Sequence, residues 1–440
     1  MTVSAGSKKL KVLFFSQRFP FPMDTGGKIR TGKILEQLKN VFDITLVSNV
    51  ESPKDDKYLD QVKTLCTQFH PVPWKEAKKY SFKFYLKILR SLFSHYPFTV
   101  LNDYSTDVEA ALRHLTSENH FDLLVCDFLQ PSLNFRRLNG APTLLFEHNI
   151  ESVIPRRHFE TSPNPIAKIF WWLQWRRMER YEREMCQRFT GTVTVSETDK
   201  SLLEEKFGAR NVLSIPTGVD TDYFSPSEQT ELNNSLVFTG SMDWLPNEDA
   251  ILFFARDILP RIRKQIPVVK LTVVGRNPSG GLLNKVKKYP EIEVTGWVND
   301  VRPFIARHSL YVIPLRIGGG TRIKVYEAMA MGKAVVSTHM GVEGLPVRNG
   351  ENVLLSDGPE EFADAVVGLL KNAERRKRME INARSFVETN FSWEKVAQVF
   401  SNGCVKTVTG ASGGAFNPWS AGETTNFETL GAAFGVVEDK

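Results

Sequence analysis

Short apolar runs alternate with longer helix-like stretches along the whole chain, and this rhythm restricts the fold more than any other feature. "KVLFFS", "FDITLVS", "FDLLVCD", "PTLLFEH" and "GTVTVS" read as buried strands in the first half. "SLVFTG", "VKLTVVG", "EIEVTGW", "SLYVIPL", "KAVVST" and "ENVLLS" read the same way in the second. Runs so continuously apolar belong to strands covered on both faces. Roughly 10 to 25 residues of helical pattern separate them, which predicts parallel βαβ units with helices on either side of each sheet.

The rhythm pauses once, over residues 215–235 ("IPTGVDTDYFSPSEQTELNNS"), where Pro, Gly, Ser, Thr, Asp and Asn mark a linker. A chain of 440 residues also exceeds one ordinary core. The expectation is an α/β protein of two Rossmann-like, doubly wound domains, residues 1–226 and 227–402, facing a central cleft. Ligand then belongs in that crevice, at the carboxyl ends of the strands. From about Gly403 the periodicity fades into Gly, Thr and Ser, and residues 403–440 read as a flexible tail.

Composition narrows the function classes. With 42% hydrophobic and 24% charged residues the chain is globular, and its net charge of +6 leaves basic surface local rather than global. No nucleic-acid recognition motif accompanies that charge, and nucleic acid is not an expected partner. Cys66, Cys126, Cys186 and Cys404 lie far apart without metal-ligand spacing, which suits a reducing compartment. The apolar run "VLFF" near the N-terminus is too short for a signal peptide, and no stretch approaches the roughly 18 apolar residues of a spanning helix. The expected location is cytoplasmic, with room for peripheral attachment to the cytoplasmic membrane face.

Residues 317–332, "IGGGTRIKVYEAMAMG", carry the densest chemistry. They follow the strand "SLYVIPL", so Gly318, Gly319 and Gly320 occupy a strand-to-helix turn where a ligand can approach the backbone closely. The first amides of the next helix lack partners and its dipole favours an anion. Arg322 and Lys324 sit at the wrong end for dipole stability, which makes sense if an anion binds there. Thr321, Lys324 and Glu327 are spaced three apart and share a helix face, with Glu327 about 9 Å along the axis from Thr321. A diphosphate at the helix start and a sugar hydroxyl pair on the carboxylate account for all of them. The plainer reading is a tight turn and a surface Glu, against which Ala328 and Ala330 suggest close packing.

This stretch resembles the nucleotide-sugar motif of the GT-B-fold retaining glycosyltransferases of family 4. "IPTGVDTDYFSP", "VFTGSMDWLPNEDAILFFARDILP", "LTVVGRNP", "VTGWVNDVRPFI" and "SWEKVA" resemble further motifs of that family, and the likeness covers residues 10–402. It implies that Glu327 binds the donor ribose and that the Gly318–Thr321 turn lies by the diphosphate and donor sugar. It also implies that Arg276 lies near the nucleotide and that the backbone at Trp297 and Val298 frames the base. A solvated Arg and a half-buried aromatic are the plainer readings of Arg276 and Trp297. Two departures stand out. The family often keeps a second glutamate where this chain has Gly319. It also commonly has an Arg after "F-x-G" and a Lys a few residues on, where this chain has Ser241 and Pro246–Asn247. The expectation is that Arg322 and Lys324 supply the missing charge.

In the first half, "RFPFPMDTGGKIRTGKILEQL" follows the first strand. Gly27-x4-Gly32-Lys33 imitates a P-loop, but Ile34 stands where the magnesium-binding hydroxyl belongs. The stretch is read instead as a Gly26–Gly27 loop whose amides face donor phosphate or acceptor, with Arg30 as helper; a plain tight turn is the alternative. "PTLLFEHNIES" places His148 at the carboxyl end of a cleft-facing strand, and the family resemblance sets it near the donor sugar as the catalytic candidate. Asp127, at the end of "LLVCDF", is a weaker candidate of the same kind. "DTD" at 220–222 imitates a metal-holding motif but lies in the linker, and no metal or other cofactor is expected.

Two basic, aromatic segments are candidates for an anionic membrane surface, residues 73–93 the better of the two. Residues 73–93 carry Lys75, Lys78, Lys79, Lys83, Lys87 and Arg90; "IFWWLQWRRMERYEREMCQRF" puts Trp171, Trp172 and Trp175 beside Arg176 and Arg177. For the second, a core-facing aromatic stripe is an equal reading. The resemblance implies transfer of a sugar, with retention, from a nucleoside diphosphate to an acceptor hydroxyl on a glycan or lipid-linked carrier, as in polysaccharide or glycolipid assembly. A GT-B-like sugar-nucleotide epimerase and a non-catalytic sugar-nucleotide-binding module stay open as alternatives.

Overall fold

The computed structural model describes residues 9–75, 88–89, 91–162, 164–317 and 322–412. Its first half holds β1 (Lys11–Ser16), β2 (Asp43–Val50), β3 (Gln68–Pro73), β4 (Leu123–Asp127), β5 (Thr143–Phe146), β6 (Gly191–Thr194) and β7 (Val212–Ser214). They form a parallel sheet in the order β3-β2-β1-β4-β5-β6-β7. The second half holds β8 (Leu232–Thr239), β9 (Lys270–Val274), β10 (Ile292–Gly296), β11 (His308–Ile313), β12 (Val335–Ser337) and β13 (Leu354–Leu355). These are also parallel, in the order β10-β9-β8-β11-β12-β13. Every apolar run read as a strand is one. The unexpected strands, β3 and β7, are the two edges of the first sheet. β3 contains Pro71 and Pro73, which an edge tolerates, and β7 has three residues, too few to show a pattern.

Strand order reverses between β1 and β4 in the first sheet and between β8 and β11 in the second. At such a switch point the two outgoing loops diverge and leave a crevice at the carboxyl ends. Residues Ser16 and Asp127 close the first pair of strands, and Thr239 and Ile313 the second.

The C-terminal stretch corrects the expected boundary. Residues 403–412 are not a loose tail but the last turns of a helix, Trp393–Ser412. Its Trp393, Val396, Phe400, Cys404 and Val405 share a core with Phe14, Ile34 and Phe146 of the first half. Glycine there is a packing device: a Cβ on Gly403 would stand 2.5 Å from Leu213 Cδ2. The first body therefore includes the chain's last described helix.

The chain thus crosses between the halves twice, and the crossings touch. Val219 N donates to Phe391 O at 2.8 Å, and a Cβ on Gly218 would meet the Trp393 ring at 2.5 Å. Lys33 of helix α1 (Gly26–Leu38) pairs with Asp220 at 3.2 Å, while Arg384 donates to the carbonyls of Thr221 and Phe224. Asp220, part of the "DTD" triplet, is thus occupied as a linker brace. Among the described residues, no helix is long and apolar enough to cross a membrane.

Candidate active site

The second sheet builds its site where β8 and β9 end. The chain leaves β8 through Gly240–Ser241 and β9 through Gly275–Arg276, and the exits touch: a Cβ on Gly275 would stand 1.7 Å from the Gly240 carbonyl oxygen. Gly275→Ala must push these turns apart, at a cost of about 3 kcal/mol and so roughly 6–12 °C in Tm. A melt unchanged from wild type would show that the turns have room.

That contact brings two cations onto one rim. Arg276 is exposed, and its Nε donates to Ser241 Oγ at 3.0 Å. Ser241 Oγ in turn donates to Asp243 at 2.5 Å, and Asn277 holds the other Asp243 oxygen at 2.9 Å. The helix Ile323–Ala330 sends Lys324 to the same rim. Its Nζ donates to Asn247 Oδ1 at 2.8 Å and to the Thr239 carbonyl at 3.1 Å, 4.2 Å above the Phe238 ring centre. Glu327 follows one turn later on the same face.

Burial disfavours charge on both groups. It pushes the Lys324 ammonium down to about 7, with Arg322 repelling it and Glu327 partly offsetting the fall. It pushes the Glu327 carboxyl up to about 7, partly offset by Lys324. An ammonium with so lowered a pKa is poised to gain charge when an anion arrives.

Arg322 does not do what its position suggests. It is 4% exposed, its Nε donates to the Met340 carbonyl at 3.3 Å, and Glu343 lies 3.8 Å from its guanidinium. It braces the loop after β12. Trp297 is 69% exposed just beyond β10, with Val298 half-buried behind it on the core. Gly318, Gly319, Gly320 and Thr321 lie outside the described residues.

The first sheet presents a polar chain at its switch point. Asp127 accepts from Ser16 Oγ and Thr31 Oγ1, both at 2.9 Å, on one oxygen and faces His148 Nε2 at 2.7 Å on the other. Arg30 approaches His148 Nδ1 at 3.0 Å and donates to Thr217 Oγ1 of the linker at 2.8 Å. A guanidinium has only hydrogens to offer, so Nδ1 accepts and Nε2 carries the proton toward Asp127. Burial lowers the His148 pKa, countered by Asp127, and keeps the ring neutral. Both ring nitrogens are therefore taken. As placed, His148 has none to offer a sugar; it is buried against the Phe128 and Phe146 rings.

Over His148 lies Phe128, whose backbone holds φ 73°, a strained value for a bulky side chain. One face of its ring stacks on His148 at 3.9 Å and the other carries Arg18 at 4.4 Å. Gly27 lets the ring close on helix α1, since a Cβ there would stand 2.7 Å from Phe128 Cζ. Thr25 places no side-chain bond on the helix start, and Gly26 faces open space. The Gly26–Gly27 amides thus head a helix that is not capped by its own side chain.

Two family models, described as "Glycosyltransferase Family 4" and "Glycosyl transferases group 1", match residues 64–223 and 233–372, one on each half of the molecule. The chain belongs to the group 1 glycosyltransferases. A 44.6 kDa protein from the cps region of Klebsiella pneumoniae is 22% identical across 88% of this chain and 97% of its own. The phosphatidyl-myo-inositol mannosyltransferase of Mycobacterium tuberculosis is 26% identical, over 49% of this chain and 59% of its own. Among solved structures, a glycosyltransferase from Rickettsia africae superposes with a TM-score of 0.58 at 14% identity, covering 91% of this chain and 99% of that one. Anabaena HepE with UDP-glucose gives 0.56 at 14% identity, covering 89% and 98%. These likenesses establish the two-domain GT-B fold.

Within this glycosyltransferase the departures at Ser241 and Asn247 acquire a spatial answer. Arg276 reaches Ser241 and Lys324 reaches Asn247, so each position that lacks the common cation is visited by one from another element. Sequence reasoning had paired Lys324 with Arg322 and missed Arg276 in this role. No spacing rule links residues 241 and 276; the pairing of β8 with β9 and the Gly240–Gly275 contact at their ends do.

Proposed function

We propose that the chain is a retaining transferase that moves a sugar from a nucleoside diphosphate to an acceptor hydroxyl on a glycan or lipid-linked carrier. The observation that carries this reading is the convergence of Arg276 and Lys324 on the β8–β9 rim, one helical turn from Glu327. The cations suit a diphosphate, the Glu327 carboxylate suits a ribose hydroxyl pair, and exposed Trp297 suits a base face. Solved neighbours of this fold hold UDP or UDP-glucose, and one curated relative is a phosphatidyl-myo-inositol mannosyltransferase, which supports the substrate class.

In the proposed reaction the bond from the sugar's anomeric carbon to the phosphate oxygen breaks while the acceptor oxygen bonds to that carbon on the same face. The acceptor's proton passes to the departing phosphate oxygen. Arg276 and Lys324 stabilise the charge gathering on the diphosphate. The Gly26–Gly27 amides approach the donor from the opposite wall, and closure of the halves excludes water. No metal is assigned a role. The test is thermal-shift screening with UDP-, GDP-, ADP- and dTDP-sugars, followed by acceptor-dependent nucleotide release. Donor binding without such release over a broad acceptor panel would leave a binding module, and failure of every donor would end the reading.

Protonation supplies an expected pH dependence. Lys324 titrates near 7 in the free protein, and a bound diphosphate favours its charged form. Binding above pH 7 must therefore take up a proton, and affinity falls by up to tenfold per pH unit there. Titration calorimetry in buffers of different ionisation enthalpy reads this uptake directly. A nucleoside without phosphates should show none.

A further inference from the structure

Most of the large apolar side chains left exposed in the first half lie on two stretches that touch: Leu89, Leu92 and Phe93 on one, Ile154, Ile166, Ile169 and Trp172 on the other. Two helices consecutive in the chain, Val153–Thr161 and Pro165–Arg188, carry four of them. His158 stacks on Trp171 at 4.4 Å and Phe159 on Trp175 at 5.8 Å, which holds the pair together. Residues 91–95 lie alongside. Arg177 donates to the carbonyls of Ser91 and Leu92 at 2.6 and 2.7 Å, and Arg180 to that of His95 at 2.7 Å.

This corner stands out from the body. In the helix Pro165–Arg188 the buried residues begin at Gln174, and none precedes it. Its first nine residues, about 13 Å of helix, thus carry Ile166 (79% exposed), Ile169 (68%) and Trp172 beyond the core, while Phe93 (87%) stands on the segment that Arg177 and Arg180 hold. Charge follows the same corner. Between Ile154 and Arg177 there are five cations (Arg156, Arg157, Lys168, Arg176, Arg177) and one carboxylate, Glu160. Apolar and aromatic side chains at a projecting tip with cations around them match a bilayer surface, whose apolar layer lies beneath anionic headgroups. A second copy of the chain fits less well, because a two-fold contact would face this positive charge with itself.

We propose that this corner docks on an anionic bilayer, with Phe93, Ile166, Ile169 and Trp172 entering the interfacial layer and Lys168 and Arg176 lying on the headgroups. Ile154 follows Phe146, the last residue of β5, by eight residues, so no more than about 28 Å of chain separates the docking corner from the carboxyl end of β5. A bilayer held there lies beside the first half's wall of the cleft, where a lipid-borne acceptor is within reach. The surface is independent of the donor assignment, since vesicle binding needs neither donor nor acceptor.

Flotation of the full chain with vesicles of phosphatidylcholine and phosphatidylglycerol, against phosphatidylcholine alone, tests it. The chain is expected to float with the anionic vesicles. The triple variant Phe93→Ser, Ile166→Ser, Ile169→Ser should bind at least tenfold less while melting as wild type does. A second variant, Lys168→Glu with Arg176→Glu, should reduce anionic-vesicle binding to the level on phosphatidylcholine alone. The proposal is overturned if the wild type does not float, or if the triple variant floats as wild type does. It is also overturned if the triple variant only converts a dimer to a monomer in light scattering, leaving flotation intact.

Discussion

Lys324→Ala is expected to raise the dissociation constant for the nucleoside diphosphate by about 10- to 100-fold. A hydrogen bond between charged groups contributes ~1.5–3 kcal/mol, and each 1.4 kcal/mol is tenfold. The variant should also lose the alkaline fall in affinity, because the group that takes up the proton is gone. Folding should survive: burial already works against the Lys324 charge, so its removal does not take away a stabilising ion pair. Arg276→Ala should act in the same direction but less strongly, since its exposed guanidinium is better screened by water. The two effects should not add, because both cations act on one diphosphate. Arg322→Ala makes the contrast. Its guanidinium holds Met340 and Glu343, so its loss should lower Tm more than donor affinity.

Asp127→Ala is expected to produce the largest loss of stability, about 3–5 kcal/mol, or roughly 10 °C in Tm. It removes the acceptor of Ser16 and Thr31 and the partner of His148, and it leaves the buried Arg30 guanidinium without its nearest carboxylate. Burial already lowers the Arg30 pKa to about 10, with Asp127 opposing the fall. His148→Ala should lose less, since Asp127 keeps two of its donors. Neither substitution should change nucleotide affinity at the β8–β9 rim by more than a few fold. A tenfold loss of nucleotide affinity in His148→Ala, with Tm unchanged, would return His148 to direct contact with the donor.

What could be read from the sequence follows the range of each interaction. Strands rest on apolar runs, and every run read as a strand is one. β3 and β7 escaped because edge strands carry little apolar signal. The terminal helix escaped because glycine at 403 looks like a loop residue until Leu213 is seen against it. At the site, Lys324 and Glu327 were legible as a pair because helical spacing is local. The partnerships of Arg276 with Ser241 and of Lys324 with Asn247 span 35 and 77 residues, and they depend on how two strands exit one sheet. Likewise nothing local announces that Arg30 and Asp127 occupy both nitrogens of His148, or that Phe128 is held at φ 73°. Residue type pointed to the right place in the fold, but not to which atoms were already engaged.

The account's central claim is that Lys324 brings to Asn247 the charge that the family commonly carries near position 247. The direct test is calorimetric titration of a nucleoside diphosphate into wild type, Lys324→Ala, and Lys324→Ala with Asn247→Lys. The account predicts a loss of about 10- to 100-fold in the single variant and recovery to within about threefold of wild type when lysine is placed at 247, a residual of under 1 kcal/mol. Wild-type affinity in Lys324→Ala, or a double variant no tighter than the single one, would contradict it.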